Sequence, residues 1–173
     1  APSTLGLMPQ ARTIVAIGLL ASVLAACGES PRAWGAVNSI IVVATEEQWA
    51  TVGRMLESAL ETRYLTVRPE KTFRVTHQLP EGREWGLLQR FRQLVLVGTP
   101  ESPWMADALA LTDREGLNPP EMLQVGDVWA RGQNVTILLL PSEGADGAQE
   151  LMEPLHELLD SQYRQWVRSQ QFQ

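Results

Sequence analysis

The stretch "NSIIVVATEEQ", Asn38 to Gln48, decides the fold class. Its first seven residues are an apolar run rich in β-branched side chains, which predicts a short buried strand. Thr45 follows at once, and Gln48 stands three residues later, a spacing typical of a capping box at the start of a helix. A strand that passes directly into a helix indicates an α/β protein.

The same alternation of strands and helices continues along the chain. The apolar residues after Thr45 recur at helical spacing, so we expect that helix to pack one face on a sheet. Pro154 lies near the start of the last predicted helix, where a first turn tolerates proline but a deeper position would kink the helix. The remaining predicted elements are a half-exposed strand at Thr72–His77, a helix at Glu81–Phe91, a buried strand at Gln93–Thr99, a short helix from Pro103, two strands joined around "RGQN", and a helix from about Asp146 to Phe172.

This order predicts an α/β fold. We expect a two-layer α/β sandwich whose mixed sheet has about five strands and four helices, preceded by an N-terminal hydrophobic helix. The predicted domain boundaries are residues 1–27 for a membrane anchor or lipoprotein signal, 28–37 for a linker, and 38–173 for a globular extracytoplasmic domain.

The N-terminal segment has the parts of an export signal. Arg12 is its one charged residue, an uncharged run follows, and "LAAC" ends at Cys27 like a bacterial lipobox, in which the cysteine is acylated. Two outcomes stay open: cleavage before an acylated Cys27, or retention of the helix. The run 13–27 is only about 22 Å of helix against a hydrocarbon core of about 30 Å, so a retained span must begin near Leu5 with Arg12 snorkelling. The predicted anchor residues are Arg12, Val15, Leu19, Leu20 and Leu24.

Composition and motifs exclude several kinds of activity. The formal net charge is −6, and an acidic domain does not suit nucleic acid. Phosphate-binding glycine loops and the serine-hydrolase elbow are missing from the sequence. With one cysteine and two histidines far apart, we expect no metal site and no cofactor.

Three weaker patterns are candidate sites. "HELLD" places His156 and Asp160 on one helix face, which we interpret as a surface pair. The loop Gly98–Pro103 follows a strand and precedes a helix, the position where open α/β sheets bind ligands. A catalytic carboxylate pair would need burial, and the candidates are Glu46, Glu47, Glu101, Asp113 and Glu115.

Six tryptophans are a high count for 173 residues, and large amphipathic rings favour interfaces. We expect Trp49, Trp85 and Trp166, on apolar helix faces, to be core residues. Trp34 and Trp104 lie beside turns and prolines, and we predict that they form a contact surface.

The sequence also resembles a known family. The segments "VNSIIVVATEEQW", "RPEKTFRVTH", "RQLVLVGTPESPW" and "GDVWARGQNVTILLL", in this order behind a lipobox, look like a family of uncharacterised bacterial lipoproteins known only as a domain of unknown function. The resemblance implies a location in the cell envelope and supplies no catalytic residue.

Three functions remain open. The first is a non-enzymatic accessory subunit, anchored in membrane lipid on the periplasmic side, whose domain packs on an integral membrane protein complex. A bacterial photosynthetic reaction-centre or light-harvesting assembly is one candidate for this complex. The second is a free lipoprotein that binds a small ligand or cell-wall component at Gly98–Pro103. The third is an envelope hydrolase that uses carboxylates.

Overall fold

The computed structural model describes residues 28–61, 73–81, 84–144 and 146–171. They form an α/β fold with one five-stranded mixed sheet and four α-helices, as the sequence predicted. The strands are β1 (Ser39–Val43), β2 (Arg74–Gln78), β3 (Gln93–Gly98), β4 (Glu121–Gly126) and β5 (Asn134–Leu139). The helices are α1 (Glu46–Glu61), α2 (Trp85–Leu88), α3 (Ala106–Ala110) and α4 (Ala148–Gln171), and a 3-10 turn at Pro103–Met105 precedes α3.

The sheet has the strand order β2-β1-β3-β5-β4. All neighbours are parallel except β4, which runs antiparallel to β5 at one edge. The chain leaves β1 for β2 on one side and then crosses to β3 on the other, so the connections reverse direction beside β1. We call the side of the sheet where β1, β2, β3 and β5 end the carboxyl edge, and the opposite side the amino edge.

Helical segments cover both faces of the sheet. The long helices α1 and α4 form the predicted second layer, where Leu56 and Leu155 pack on Val42 and Val95. The short helices α2 and α3 lie with Met105 against the other face, which includes Leu96. Because both faces are covered, the central strands are apolar at nearly every position, as expected for buried parallel strands.

The start of α1 has the predicted capping box. The Thr45 N–H donates to Oε1 of Gln48 at 3.1 Å, and the Gln48 N–H donates to Oγ1 of Thr45 at 3.2 Å. These bonds satisfy two backbone donors that a helix start otherwise leaves without partners. Glu46 and Glu47 in the first turn add favourable charge at the positive end of the helix dipole.

Two predictions differ from the structure. The helix predicted at Glu81–Phe91 is only Trp85–Leu88, because Phe91 is used in an isolated bridge with Trp34. Trp166 was predicted in the core but is 38% exposed, since it lies in the last turns of the 24-residue α4. Trp49 and Trp85 are half-buried and pack against the two clusters. The helix α4 continues through Pro154, an exposed position where water can reach the carbonyl that proline leaves without a donor.

The predicted N-terminal helix, the anchor residues and Cys27 lie outside the described residues. Among the helices that the structure does describe, none combines the length and apolar character needed to cross a bilayer.

Candidate functional site

Two strongly exposed apolar side chains lie where the chain enters the folded domain. They are Trp34 and Leu87, which are 49% and 69% exposed. We call these two residues the Trp34 surface. The Trp34 ring packs edge-on against Phe91, with ring centroids 4.8 Å apart and an interplanar angle of 87°. Its indole N–H donates to the Leu87 carbonyl at 3.4 Å. The ring is thus fixed on one side and open to solvent on the other.

Backbone hydrogen bonds hold residues 31–34, which we call the Trp34 segment, to the amino edge. Trp34 donates its N–H to the Arg90 carbonyl at 3.1 Å and accepts from the Arg92 N–H at 2.7 Å. Earlier in the chain, the Pro31 carbonyl accepts from the Arg131 N–H at 2.8 Å. Residues 31–34, within the range predicted as a linker, are therefore bonded to the domain.

Gly35 lets this segment lie against Phe91. Its φ is +100°, and a Cβ atom there would come within 2.5 Å of the Phe91 ring. Both the backbone conformation and the close contact require glycine. No sequence pattern signals the need, because Phe91 is 56 residues away.

Gln133 supports the amino edge from beneath the surface. Its side chain is almost fully buried, and its amide group donates to the carbonyl oxygens of Gln89 and Phe91, the latter at 2.8 Å. Its Oε1 accepts from the Trp129 N–H at 3.1 Å. One buried amide therefore connects the β4–β5 loop to the residues under Trp34. The sequence "RGQN" suggested only a turn.

Trp104, the other residue predicted for the contact surface, lies elsewhere. Its ring packs partly buried against the cluster that contains Leu96, and its indole N–H donates to the Val97 carbonyl at 3.3 Å. Val97 is near the end of β3, whereas Trp34 lies before its start. The fold therefore separates the two tryptophans along the length of a strand.

The loop Gly98–Pro103 lies at the carboxyl edge, beside the point where the connections between strands change direction. The protein's own side chains fill the space in this loop where a ligand would lie. The Thr99 N–H donates to Oγ of Ser102 at 3.0 Å, and Ser102 is buried. A Cβ atom on Gly98 would come within 2.5 Å of Met105. Across the same edge, the buried amide of Gln48 donates to Glu143 at 2.8 Å. The polar groups of these loops therefore bond to each other, and Ser102 and Met105 fill the space beside Gly98.

The candidate carboxylates do not form a buried pair. All five are exposed, so none has the buried surroundings that a general acid needs. They are Glu46, Glu47, Glu101, Asp113 and Glu115. Within the described ranges, no three acidic, histidine or cysteine side chains come together as metal ligands.

A groove of about 400 Å³ lies between α1 and α4. Its walls include Met55 and Met152, together with Arg54 and His156. The Nδ1 atom of His156 is buried and has no hydrogen-bond partner. Asp160, predicted as a surface partner of His156, forms an ion pair with Arg164 one turn later.

The family model described as "Domain of unknown function (DUF8532)" matches residues 33–168. The chain belongs to this family. The DUF8532 region contains all five strands and begins at Ala33, so it includes Trp34 but not Pro31 or Arg32. Neither a search of curated proteins nor a search of solved structures found a match. Membership in DUF8532 confirms the predicted resemblance to an uncharacterised domain and brings no activity with it.

Proposed function

We propose that this DUF8532 domain is a non-enzymatic accessory module that is held at the periplasmic face of a bacterial membrane by residues 1–27. In this proposal, Cys27 is either acylated or continues from a retained helix. The Trp34 surface docks on an integral membrane protein complex. The observation that carries the proposal is that Trp34 and Leu87, both strongly exposed, lie where the chain enters the domain from this segment.

The length of chain between Cys27 and the domain supports this orientation. The first backbone bond between this part of the chain and the rest of the domain is at Pro31. Four residue steps from Cys27 to Pro31 span at most about 14 Å. A six-residue strand is about 20 Å long, so an anchor at Cys27 keeps the amino edge nearer to the membrane than the carboxyl edge.

The chemistry of the Trp34 surface suits a contact with a membrane-embedded partner. Tryptophan combines a large apolar ring with one N–H donor, and it is enriched both in interaction hot spots and at the membrane interface. The Trp34 ring is already held by Phe91 and by the Leu87 carbonyl. A side chain that is fixed before binding loses less conformational entropy when a partner covers it.

The two alternative functions have less support. A ligand site at Gly98–Pro103 conflicts with the way Ser102 and Met105 fill that loop. For a free lipoprotein that binds a small ligand, the groove between α1 and α4 is a better candidate site than this loop. The Nδ1 atom of His156, which has no hydrogen-bond partner, is a polar group in the lining of that groove. The hydrolase alternative lacks a buried carboxylate pair among the described residues.

The first experiment determines the native N-terminus and the partners. Mass spectrometry of the chain from its own host distinguishes an acylated Cys27 from an intact Ala1. Purification in a mild detergent then tests whether a membrane protein is bound to the chain in a fixed ratio. If that partner is a photosynthetic complex, its pigment absorbance should co-purify with the chain. A membrane-free monomer without partners would remove the basis of the proposal.

Substitutions then test which surface docks. Leu87→Ser removes an apolar contact without opening a core, so we expect the domain to stay folded and the partner to be lost. Leu111→Ser is the matched control, because Leu111 is also a large exposed apolar residue but lies directly after α3. A second variant, Trp34→Ala, removes the exposed ring. Docking at the Trp34 surface would be contradicted if Leu87→Ser and Trp34→Ala both keep the partner, or if Leu111→Ser loses the partner to the same extent.

A further inference from the structure

We propose that the arginines of the amino edge bind the phosphate headgroups of an anionic bilayer and thereby hold this edge against the membrane. This inference rests on the proposed membrane anchor and adds a second contact, which is made by the folded domain itself. It concerns the lipid around a partner and does not depend on the partner's identity.

The amino edge collects positive charge in an otherwise acidic protein. Five of the nine arginines that the structure describes lie at the first residue of β2, in the segments that precede β3 and β5, or in the Trp34 segment. Four of them are exposed, and Arg92 is partly buried. The five are Arg32, Arg74, Arg90, Arg92 and Arg131.

Backbone contacts bring four of these arginines close to Trp34. Arg32 and Arg131 form an isolated parallel bridge. Arg90 and Arg92 bond to the two sides of the Trp34 backbone. Arg74 lies along the same edge, because its N–H donates to the Asn38 carbonyl just before β1, at 2.8 Å. The backbones of four arginines therefore lie close to the exposed Trp34 and Leu87, and positive charge beside an amphipathic ring is the mixture found at membrane interfaces.

Few acidic residues offset this charge. Among the described residues of the same segments, the acidic ones are Glu29, Glu81, Glu84 and Asp127, and Glu81 lies only three residues after the end of β2 at the carboxyl edge. The carboxylate of Asp127 is directed into its own loop, where it accepts from the N–H groups of Gly132 and Gln133 at 2.6 and 3.3 Å. It is thus occupied in holding the β4–β5 loop.

The carboxyl edge has the opposite charge. The loops after β1, β3 and β5 and the start of β4 contain six acidic residues, and the single arginine beside them, Arg114, is paired with Glu121. The six are Glu46, Glu47, Glu101, Glu121, Glu143 and Asp146. An anionic surface attracts one edge and repels the other, which orients the domain in the direction that the short connection from Cys27 also requires.

The end of α4 extends the basic edge. Tyr163 packs on Phe73, just before β2, with ring centroids 5.9 Å apart. The helix continues beyond this contact with the exposed residues Trp166 and Arg168. A second exposed tryptophan beside an arginine thus lies on the same side of the molecule as Trp34.

The test uses the full chain in nanodiscs. One preparation contains phosphatidylcholine alone, and the other also contains phosphatidylglycerol. Hydrogen exchange is measured for residues 31–35, 84–92 and 127–134. We expect slower exchange in these three segments only in the anionic discs, with the difference reduced by high salt because screening weakens exposed charge contacts.

Charge reversal identifies the residues. Each arginine near an anionic surface contributes about a fivefold gain in binding, so we expect Arg90→Glu with Arg131→Glu to abolish the lipid-dependent protection. Arg54→Glu is the control, because Arg54 is exposed on α1 and away from the edge. Exchange in β3 and β5 reports whether each variant is folded, and the salt dependence of the unmodified chain tests the inference without any variant.

The outcomes separate the two proposals. Dissociation of the unmodified chain from both kinds of disc would refute the membrane anchor. A chain that stays in both discs with identical exchange would refute headgroup binding and leave the anchor intact. Equal loss of protection in Arg54→Glu would also refute an assignment to the amino edge.

Discussion

Replacement of Gln133 by leucine tests the support beneath the Trp34 surface. Leucine has a similar volume, so the main change is the loss of the hydrogen bonds to Gln89, Phe91 and Trp129. A hydrogen bond contributes about 1 kcal/mol net, and more when a buried group is left without a partner. The three bonds therefore predict a loss of about 3 kcal/mol, a large part of the usual stability of 5–15 kcal/mol.

Urea unfolding of the full chain in mild detergent, followed by tryptophan fluorescence, measures this loss. Thermal unfolding gives a second measure of the same loss. The melting temperature of a domain of this size falls by about 2–4 °C for each kcal/mol lost, so we expect a decrease of roughly 6–12 °C. Gln165→Leu is the matched control, since Gln165 is exposed on α4 and should change stability by less than about 0.5 kcal/mol. A loss below about 1 kcal/mol for Gln133→Leu, with an unchanged urea slope, would refute the proposed support.

Of three further predictions, the first two are measured by the same urea unfolding. Gly98→Ala should destabilise the domain by about 1–3 kcal/mol, because its Cβ would overlap Ser102 and Met105; Gly86→Ala, with open space around it, should not. Leu155→Ala, at a fully buried position of α4, should cost about 2–5 kcal/mol in urea unfolding. Removal of residues 1–27 should leave a folded domain by circular dichroism and abolish stable membrane association in flotation at physiological salt; a truncated chain that still floats fully would place the anchor in the domain.

The parts of the fold that depend on neighbouring residues were predictable from the sequence. β1 and β3 appear as runs of branched apolar residues, and the structure places them within one residue of the predicted ends. The capping box was confirmed because Thr45 and Gln48 meet over three residues, where local geometry alone decides the contact. The hairpin of β4 and β5 was predicted for a similar reason.

Contacts between distant parts of the chain were not predictable. The predicted helix at Glu81–Phe91 proved too long because Phe91 and Trp34, 57 residues apart, form a bridge whose pairing no local pattern reveals. Gln133 was missed for the same reason, since its acceptors lie more than 40 residues away. Trp34 was proposed as a contact residue from the sequence because it lies beside turns. The arginines near it could not be proposed in this way, because they become neighbours only when the strands are placed in the sheet.

The short stretch between Cys27 and Pro31 also bears on how strong docking needs to be. A domain that is tethered over about 14 Å meets a partner in the same membrane at an effective concentration in the millimolar range. A contact with a dissociation constant near 1 mM, about −4 kcal/mol, is then substantially occupied. Under the proposed anchoring, two exposed side chains and a few flanking charges would therefore be enough for a stable association in the membrane, and the isolated domain would bind the same partner only weakly in solution.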